Sequence, residues 1–254
     1  MKQIPNLFTL LNLVFGCIAI VFILQNGIAI QYSSAGVPYI DIPEKMGMAA
    51  IFIGLAGVVD FLDGFVARFF KASSEMGKQL DSLADVVSFG VAPSMILYQF
   101  LRMSYYQGED GINQPVLLLF PAFIFAAAAA YRLAKFNIDT KQQYGFRGVP
   151  TPAAGITVAA LPLMYWHNNL PWLANLLTNK WFLYLVIATL SALMVSNLPI
   201  MAMKFKSFKL RDNFPKIILL LIAVLAILFL HWTAVPVIFV AYILLSLLMR
   251  NQTT

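Results

Sequence analysis

Apolar runs of about twenty residues recur along the whole of this chain, and a run of that length is what a helix needs to cross a bilayer. Eight stand out, at Pro5–Leu24, Met46–Phe70, Gly77–Leu101, Val116–Phe136, Thr151–Trp166, Trp181–Met203, Pro215–Leu230 and Ala234–Met249. The fifth, seventh and eighth are short, and the turn between the last two, around His231 to Pro236, is tight. Hydrophobic residues make up 61% of the chain and charged ones 11%, and the mean hydropathy is +0.80. A soluble domain carries about 25% charged residues. The expected fold is therefore all-α: a polytopic transmembrane helical bundle of about eight spans, with residues 1–254 forming a single membrane domain. The stretches between spans are short, so no soluble domain is expected.

Charge placement orients the bundle. With the N-terminus inside, 14 of the 17 basic residues fall on inner segments, leaving Lys45, Arg102 and Lys180 outside. This is the bias that cytoplasmic loops carry. It predicts both termini in the cytoplasm. The net charge of +6 then reflects topology and attraction to anionic headgroups, and no nucleic-acid partner is expected. The apolar N-terminus is interrupted by Asn6, Thr9 and Asn12 and lacks a clear small-x-small site, so it reads as a first span and not as a removed signal. Cys17 is the only cysteine, which excludes a disulfide within the chain and any multi-thiolate metal site. His167 and His231 are both expected at the outer side.

Against this background, four carboxylates lie within 26 residues: Asp60, Asp63, Asp81 and Asp85. Residues three or four apart share a helix face. Asp60, Asp63, Gly64, Ala67 and Arg68 thus form one stripe near the inner end of span two, and Gly77, Asp81 and Asp85 another at the start of span three. A short connection makes the two spans an antiparallel hairpin, which can bring the stripes face to face. Converging anions in an apolar setting need cations between them. Hard oxygen ligands suit Mg2+ or Mn2+, and a pair of such ions is a standard clamp in phosphoryl displacement. The alternative is a proton or cation pathway. Two details weigh against it: all four carboxylates sit at one surface, and Arg68 beside them suits a phosphate oxygen.

The full pattern, Asp60-x-x-Asp63-Gly64-x-x-Ala67-Arg68, eight residues, then Gly77-x-x-x-Asp81-x-x-x-Asp85, resembles the signature of the CDP-alcohol phosphatidyltransferases, without departure. Ser88-Phe89-Gly90-Val91-Ala92-Pro93, Tyr131 to Asn137 and Gly148 to Ala154 are similar to the membrane-embedded phosphatidylserine synthases of bacteria and archaea. The resemblance covers roughly residues 4–160, which it makes the catalytic core, leaving 161–254 as additional helices serving as scaffold or oligomer surface.

What the resemblance implies is specific. Asp60, Asp63, Asp81 and Asp85 would hold two divalent metal ions, and Asp85 would be the general base. Gly64, Arg68, Ser74 and Gly77 would contact the CDP-diacylglycerol headgroup. Asn6 and Thr9 match a nucleotide-side stretch of the first span, although Asn6 could equally cap a helix. The reaction would be attack of the L-serine hydroxyl on CDP-diacylglycerol, giving phosphatidylserine and CMP at the inner face of a cytoplasmic membrane. Ser88, Arg132 and Lys135 are candidates for binding serine; for Arg132, Lys135 and Arg147, anchoring at the inner interface explains the charge as well. Glycerol 3-phosphate or inositol phosphate stays open as an acceptor. A homodimer is implied by the resemblance alone.

Overall fold

The computed structural model describes residues 4–25, 29–32, 38–41, 45–69, 74–106, 115–138, 146–167, 170–201 and 213–248. Helices dominate. α1 (Ile4–Leu24) leads through a two-stranded ribbon, β1 (Ala29–Tyr32) and β2 (Pro38–Asp41), into α2 (Lys45–Phe69). The ribbon is antiparallel, pairing Ala29 with Asp41 and Tyr32 with Pro38. α3 (Glu75–Asp85) runs through a π-helical segment, Val86–Val91, into α4 (Ala92–Tyr106). α5 (Ala122–Ile138), β3 (Phe146–Arg147), α6 (Thr151–His167), α7 (Pro171–Leu177), α8 (Lys180–Val195), β4 (Pro199–Ile200), α9 (Phe214–Leu230) and α10 (Ala234–Leu248) follow. The predicted span ends Phe70, Met203 and Met249 fall outside the described residues.

Among the described residues, four helical stretches are long and apolar enough to cross a membrane: Pro5–Leu24, Lys45–Val66, Glu75–Tyr106 and Phe214–Leu248. α7 and α8, bent by 65° to each other, make a fifth if they count as one broken span. The last stretch is better read as two legs. A straight helix of its 35 residues would be about 52 Å long, far beyond a hydrocarbon core of roughly 30 Å. At His231 the backbone instead takes φ 51°, ψ −123°, and α9 packs back against α10. The tight turn expected from sequence is a chain reversal. The chain is thus a multi-pass membrane protein, almost wholly helical among the described residues.

Packing converges on the π-helical segment. α1, α5 and α6 all cross it, and each crossing is made by a small residue. A Cβ on Gly16 would stand 2.3 Å from Ser88 Oγ, one on Gly90 3.1 Å from Ala129 Cβ, and one on Gly155 2.7 Å from the Phe89 carbonyl oxygen. Without an apolar–aqueous contrast to press helices together, close backbone approach supplies the dispersion contacts that hold a membrane bundle. Phe89, Phe100 and Phe125 fill the space around these crossings and are fully buried. The outward faces are apolar too: Leu220, Leu221, Leu228 and Phe229 of α9 are all more than half exposed, as a lipid-facing helix requires.

Gly148 fastens the start of α6 to the end of α8. Its φ of +77° favours glycine, and a Cβ there would meet the Met194 carbonyl at 2.4 Å. Its N–H donates to Leu198 O at 2.9 Å, beside the β3–β4 pairing of Phe146 with Ile200. The end of α2, the start of α3, the end of α5 and the start of α6 lie at one end of the bundle. There Lys78 Nζ of α3 donates to Asn137 O of α5, and Arg132 Nη1 of α5 donates to Thr151 Oγ1 of α6. His167 and Trp232 touch edge to face at the other.

Candidate active site

The two acidic stripes do face each other. Asp60 and Asp63 lie in the last turns of α2, Asp81 and Asp85 on α3. One carboxylate oxygen from each of Asp60, Asp63 and Asp81 lies within 4.8 Å of the others. Asp85 sits one turn deeper, 6% exposed, where it feels the charges of all three. At 4.8 Å two anions repel by about 3.5 kcal/mol at an effective dielectric of about 20. Such a cluster holds together when cations lie among its oxygens.

The donor set fits that role. It is purely oxygen, which suits a hard divalent ion such as Mg2+ or Mn2+. Asp81 Oδ1 is buried and has no hydrogen-bond partner among the described residues, a state a carboxylate oxygen escapes by binding a metal. The other oxygens are held in place from α1. Thr9 Oγ1 donates to Asp63 Oδ2 at 2.8 Å, and Asn12 Nδ2 donates to Asp85 Oδ1 at 3.2 Å.

Beside the carboxylates opens a cavity of about 510 Å3, lined by Pro5, Asn6, Thr9, Asp63, Gly64, Ser74, Glu75, Gly77, Lys78 and Asp81. Its walls explain the small residues. An added Cβ on Gly64 would meet nothing within 4 Å, so this glycine simply leaves room; one on Gly77 would stand 3.0 Å from Asn6 Oδ1 and 3.1 Å from Ser74 Oγ. Ser74 also starts α3: with φ −137° and ψ 152° it is the N-cap, its Oγ accepting from Gly77 N–H at 3.0 Å. Of the residues expected on the nucleotide side, Asn6, Thr9, Gly64, Ser74 and Gly77 all border this cavity. Arg68 belongs to the last turn of α2, but its side chain lies outside the described residues, as does that of Arg147.

The three acceptor candidates separate. Arg132 is 7% exposed; its Nη1 donates to Thr151 Oγ1 at 3.2 Å, its Nε has no partner among the described residues, and its charge interacts with Asp85. Arg132 thus lies buried beside Asp85 with hydrogen-bonding capacity left over. Lys135 points elsewhere: its Nζ donates to Asn197 Oδ1 at 2.9 Å, tying α5 to the segment after α8. Ser88 is fully buried and donates to the Asn12 carbonyl at 3.0 Å. None of the three borders the cavity.

Sequence reasoning passed over three participants. Glu75 and Lys78 line the cavity, and Lys78 Nζ also donates to Asn137 O at 3.1 Å. Asn12 reads in the sequence only as one polar interruption of the first span. Its signal was there: Asn6, Thr9 and Asn12 recur every third residue, which puts them on one helix face.

Comparison with known proteins agrees with this geometry. The sequence profile of the CDP-alcohol phosphatidyltransferases matches residues 2–192. A CDP-diacylglycerol–serine O-phosphatidyltransferase of Helicobacter pylori is 34% identical over 221 residues, covering 86% of this chain and 78% of its own. One from Bacillus subtilis is 32% identical over 165 residues, covering 65% of this chain and 78% of its own. One from Methanocaldococcus jannaschii is 40% identical over 104 residues, 41% of this chain and 45% of its own. This chain belongs to the CDP-alcohol phosphatidyltransferase family.

Proposed function

We infer that this protein transfers the phosphatidyl group from CDP-diacylglycerol to the hydroxyl of L-serine, giving phosphatidylserine and CMP. The acceptor is the one named in its relatives. The observation that carries the chemistry is the gathering of Asp60, Asp63 and Asp81, with Asp63 and Asp81 lining a cavity sized for a nucleotide headgroup.

The serine oxygen attacks the diacylglycerol-side phosphorus, the bond from that phosphorus to the CMP oxygen breaks, and the serine proton leaves to a base. Asp85 is that base. Its Oδ1 is occupied by Asn12, and Oδ2 takes the proton. Asn6, Thr9, Gly64, Ser74 and Gly77 bind and orient the cytidine diphosphate, with Arg68 on the pyrophosphate. Arg132 receives the serine carboxylate, and Lys135 acts from further out. Asp60, Asp63, Asp81 and Asp85 would hold two ions, Mg2+ or Mn2+, which when bound neutralise charge on the pyrophosphate and on departing CMP. The burial of Asp85 and Arg132 keeps bulk water from competing with serine.

The same proposal covers the finer architecture. Eight spans, with the carboxylates and both termini at the cytoplasmic face of a cytoplasmic membrane, are supported by the basic inner segments and by α5, α6, α8, α9 and α10 as separate apolar helices. Residues 4–160 are the catalytic core and 161–254 its scaffold, since every described side chain proposed to touch substrate or metal lies before residue 161. The homodimer rests on family resemblance alone.

The deciding experiment supplies purified protein in detergent with CDP-diacylglycerol, Mg2+ or Mn2+, and one acceptor at a time. CMP release with serine is expected. Release confined to glycerol 3-phosphate or inositol phosphate would move the protein to another acceptor, and no release with any acceptor, alongside cation flux in liposomes, would end the transferase reading.

A further inference from the structure

Asn12 is fully buried in the middle of α1, where an amide is costly unless both of its ends are paired. Only one end is. Its Nδ2 donates to Asp85 Oδ1 at 3.2 Å, while its Oδ1 has no donor among the described residues. Chemistry dictates that orientation: an ionised carboxylate only accepts, so the amide must turn its nitrogen toward Asp85. A side chain kept for packing alone would be apolar and of the same shape. Leucine would remove the unpaired amide oxygen, and what it would lose is the donor to Asp85 Oδ1.

The backbone around Asn12 is fixed with unusual closeness. Its carbonyl accepts from Ser88 Oγ at 3.0 Å. One turn on, Gly16 lies so near Ser88 that an added Cβ would stand 2.9 Å from its Cα. Ser88 belongs to the π-helical segment that begins immediately after Asp85. The element that carries Asp85 and the element that carries Asn12 are therefore pinned together within one turn of both residues.

We propose that Asn12 is a positioning residue for Asp85: its amide N–H holds Oδ1 of the carboxylate and so aims Oδ2 at the acceptor hydroxyl. The inference rests on Asp85 being the base. When the acceptor oxygen bonds to phosphorus, its proton passes to Asp85 Oδ2, and Asn12 makes and breaks no covalent bond. The seam of Gly16 and Ser88 sets the distance over which this works.

The test uses the full chain in detergent, with CDP-diacylglycerol, L-serine and Mg2+, and compares Asn12→Leu and Asn12→Asp with Asp85→Asn. Both Asn12 variants should lose kcat by about 10- to 100-fold, the usual effect of removing a hydrogen-bond partner behind a reacting or ligating group, with KM for CDP-diacylglycerol unchanged. Asn12→Leu removes an unpaired buried oxygen but also takes the donor from buried Asp85 Oδ1, so its melting temperature should fall. Replacing a merely structural asparagine would lower the melting temperature while leaving kcat per folded enzyme near the parental value, and that result overturns the proposal. So does parental kcat in either variant. If Asn12→Leu does not fold, Asn12→Asp, of nearly the same volume, decides by the same kinetic criterion. Turnover by Asp85→Asn would sink the base itself; a dead Asp85→Asn beside active Asn12 variants would sink only the positioning role.

Discussion

A serine hydroxyl is a weak nucleophile until a base within reach takes its proton, and positioned bases contribute about 10²- to 10⁴-fold. Asp85→Asn keeps the shape and the contact with Asn12 but cannot accept that proton. Its CMP release should fall by at least about 10²-fold while the protein still purifies as a folded species, judged by an unchanged melting temperature. Turnover at the parental rate would remove Asp85 from the mechanism. At this scale the four aspartates were legible because spacings of three and four place them on helix faces whatever the tertiary structure. Asn12 was legible only as a member of the polar helix face it shares with Asn6 and Thr9; its partner, 73 positions away, was not. Lys135 has the charge and position of an acceptor residue in the sequence; what the sequence does not show is that its ammonium donates to Asn197, 62 positions away.

Among the elements, the helices were legible from hydropathy and the π-helical segment was not. Val86 to Val91 reads as part of one apolar run, and no residue in it announces an altered hydrogen-bond register. The β1–β2 ribbon was likewise read as a connection. The glycines near these elements do two different jobs, and a paired substitution separates them. Gly155→Ala adds a carbon 2.7 Å from the Phe89 carbonyl oxygen and 2.9 Å from its Cα, backbone atoms that cannot swing aside. Overpacking of this kind costs about 1–3 kcal/mol, so the variant should melt lower. Gly64→Ala meets nothing within 4 Å and lies inside α2, where alanine is favoured over glycine by about 1 kcal/mol. It should melt at the same temperature or higher, yet raise KM for CDP-diacylglycerol by narrowing the cavity. Both variants losing stability alike would show that Gly64 packs against something and does not border an open site.

For the molecule as a whole, function depends on which end of the bundle faces the cytosol, because CMP and serine are water-soluble while the diacylglycerol chains stay in lipid. The carboxylates, Thr9 and Thr151 lie at one end; His167 and Trp232 meet at the other. Basic residues in the inner segments argue that the carboxylate end is cytoplasmic. The single cysteine, Cys17, makes this testable: Cys17→Ser provides a cysteine-free background for one new thiol at a time. Glu75→Cys places a thiol at the exposed start of α3 and Trp232→Cys one in the α9–α10 turn, both at exposed positions. In intact cells a membrane-impermeant maleimide should label Trp232→Cys and leave Glu75→Cys untouched; once the membrane is opened, it should label both. Labelling of the two from the same side would break the odd number of crossings that eight spans place between Glu75 and the α9–α10 turn. Labelling of Glu75→Cys alone in intact cells would invert the molecule, put the carboxylates opposite the cytosolic serine pool, and require the substrate assignment to be rebuilt.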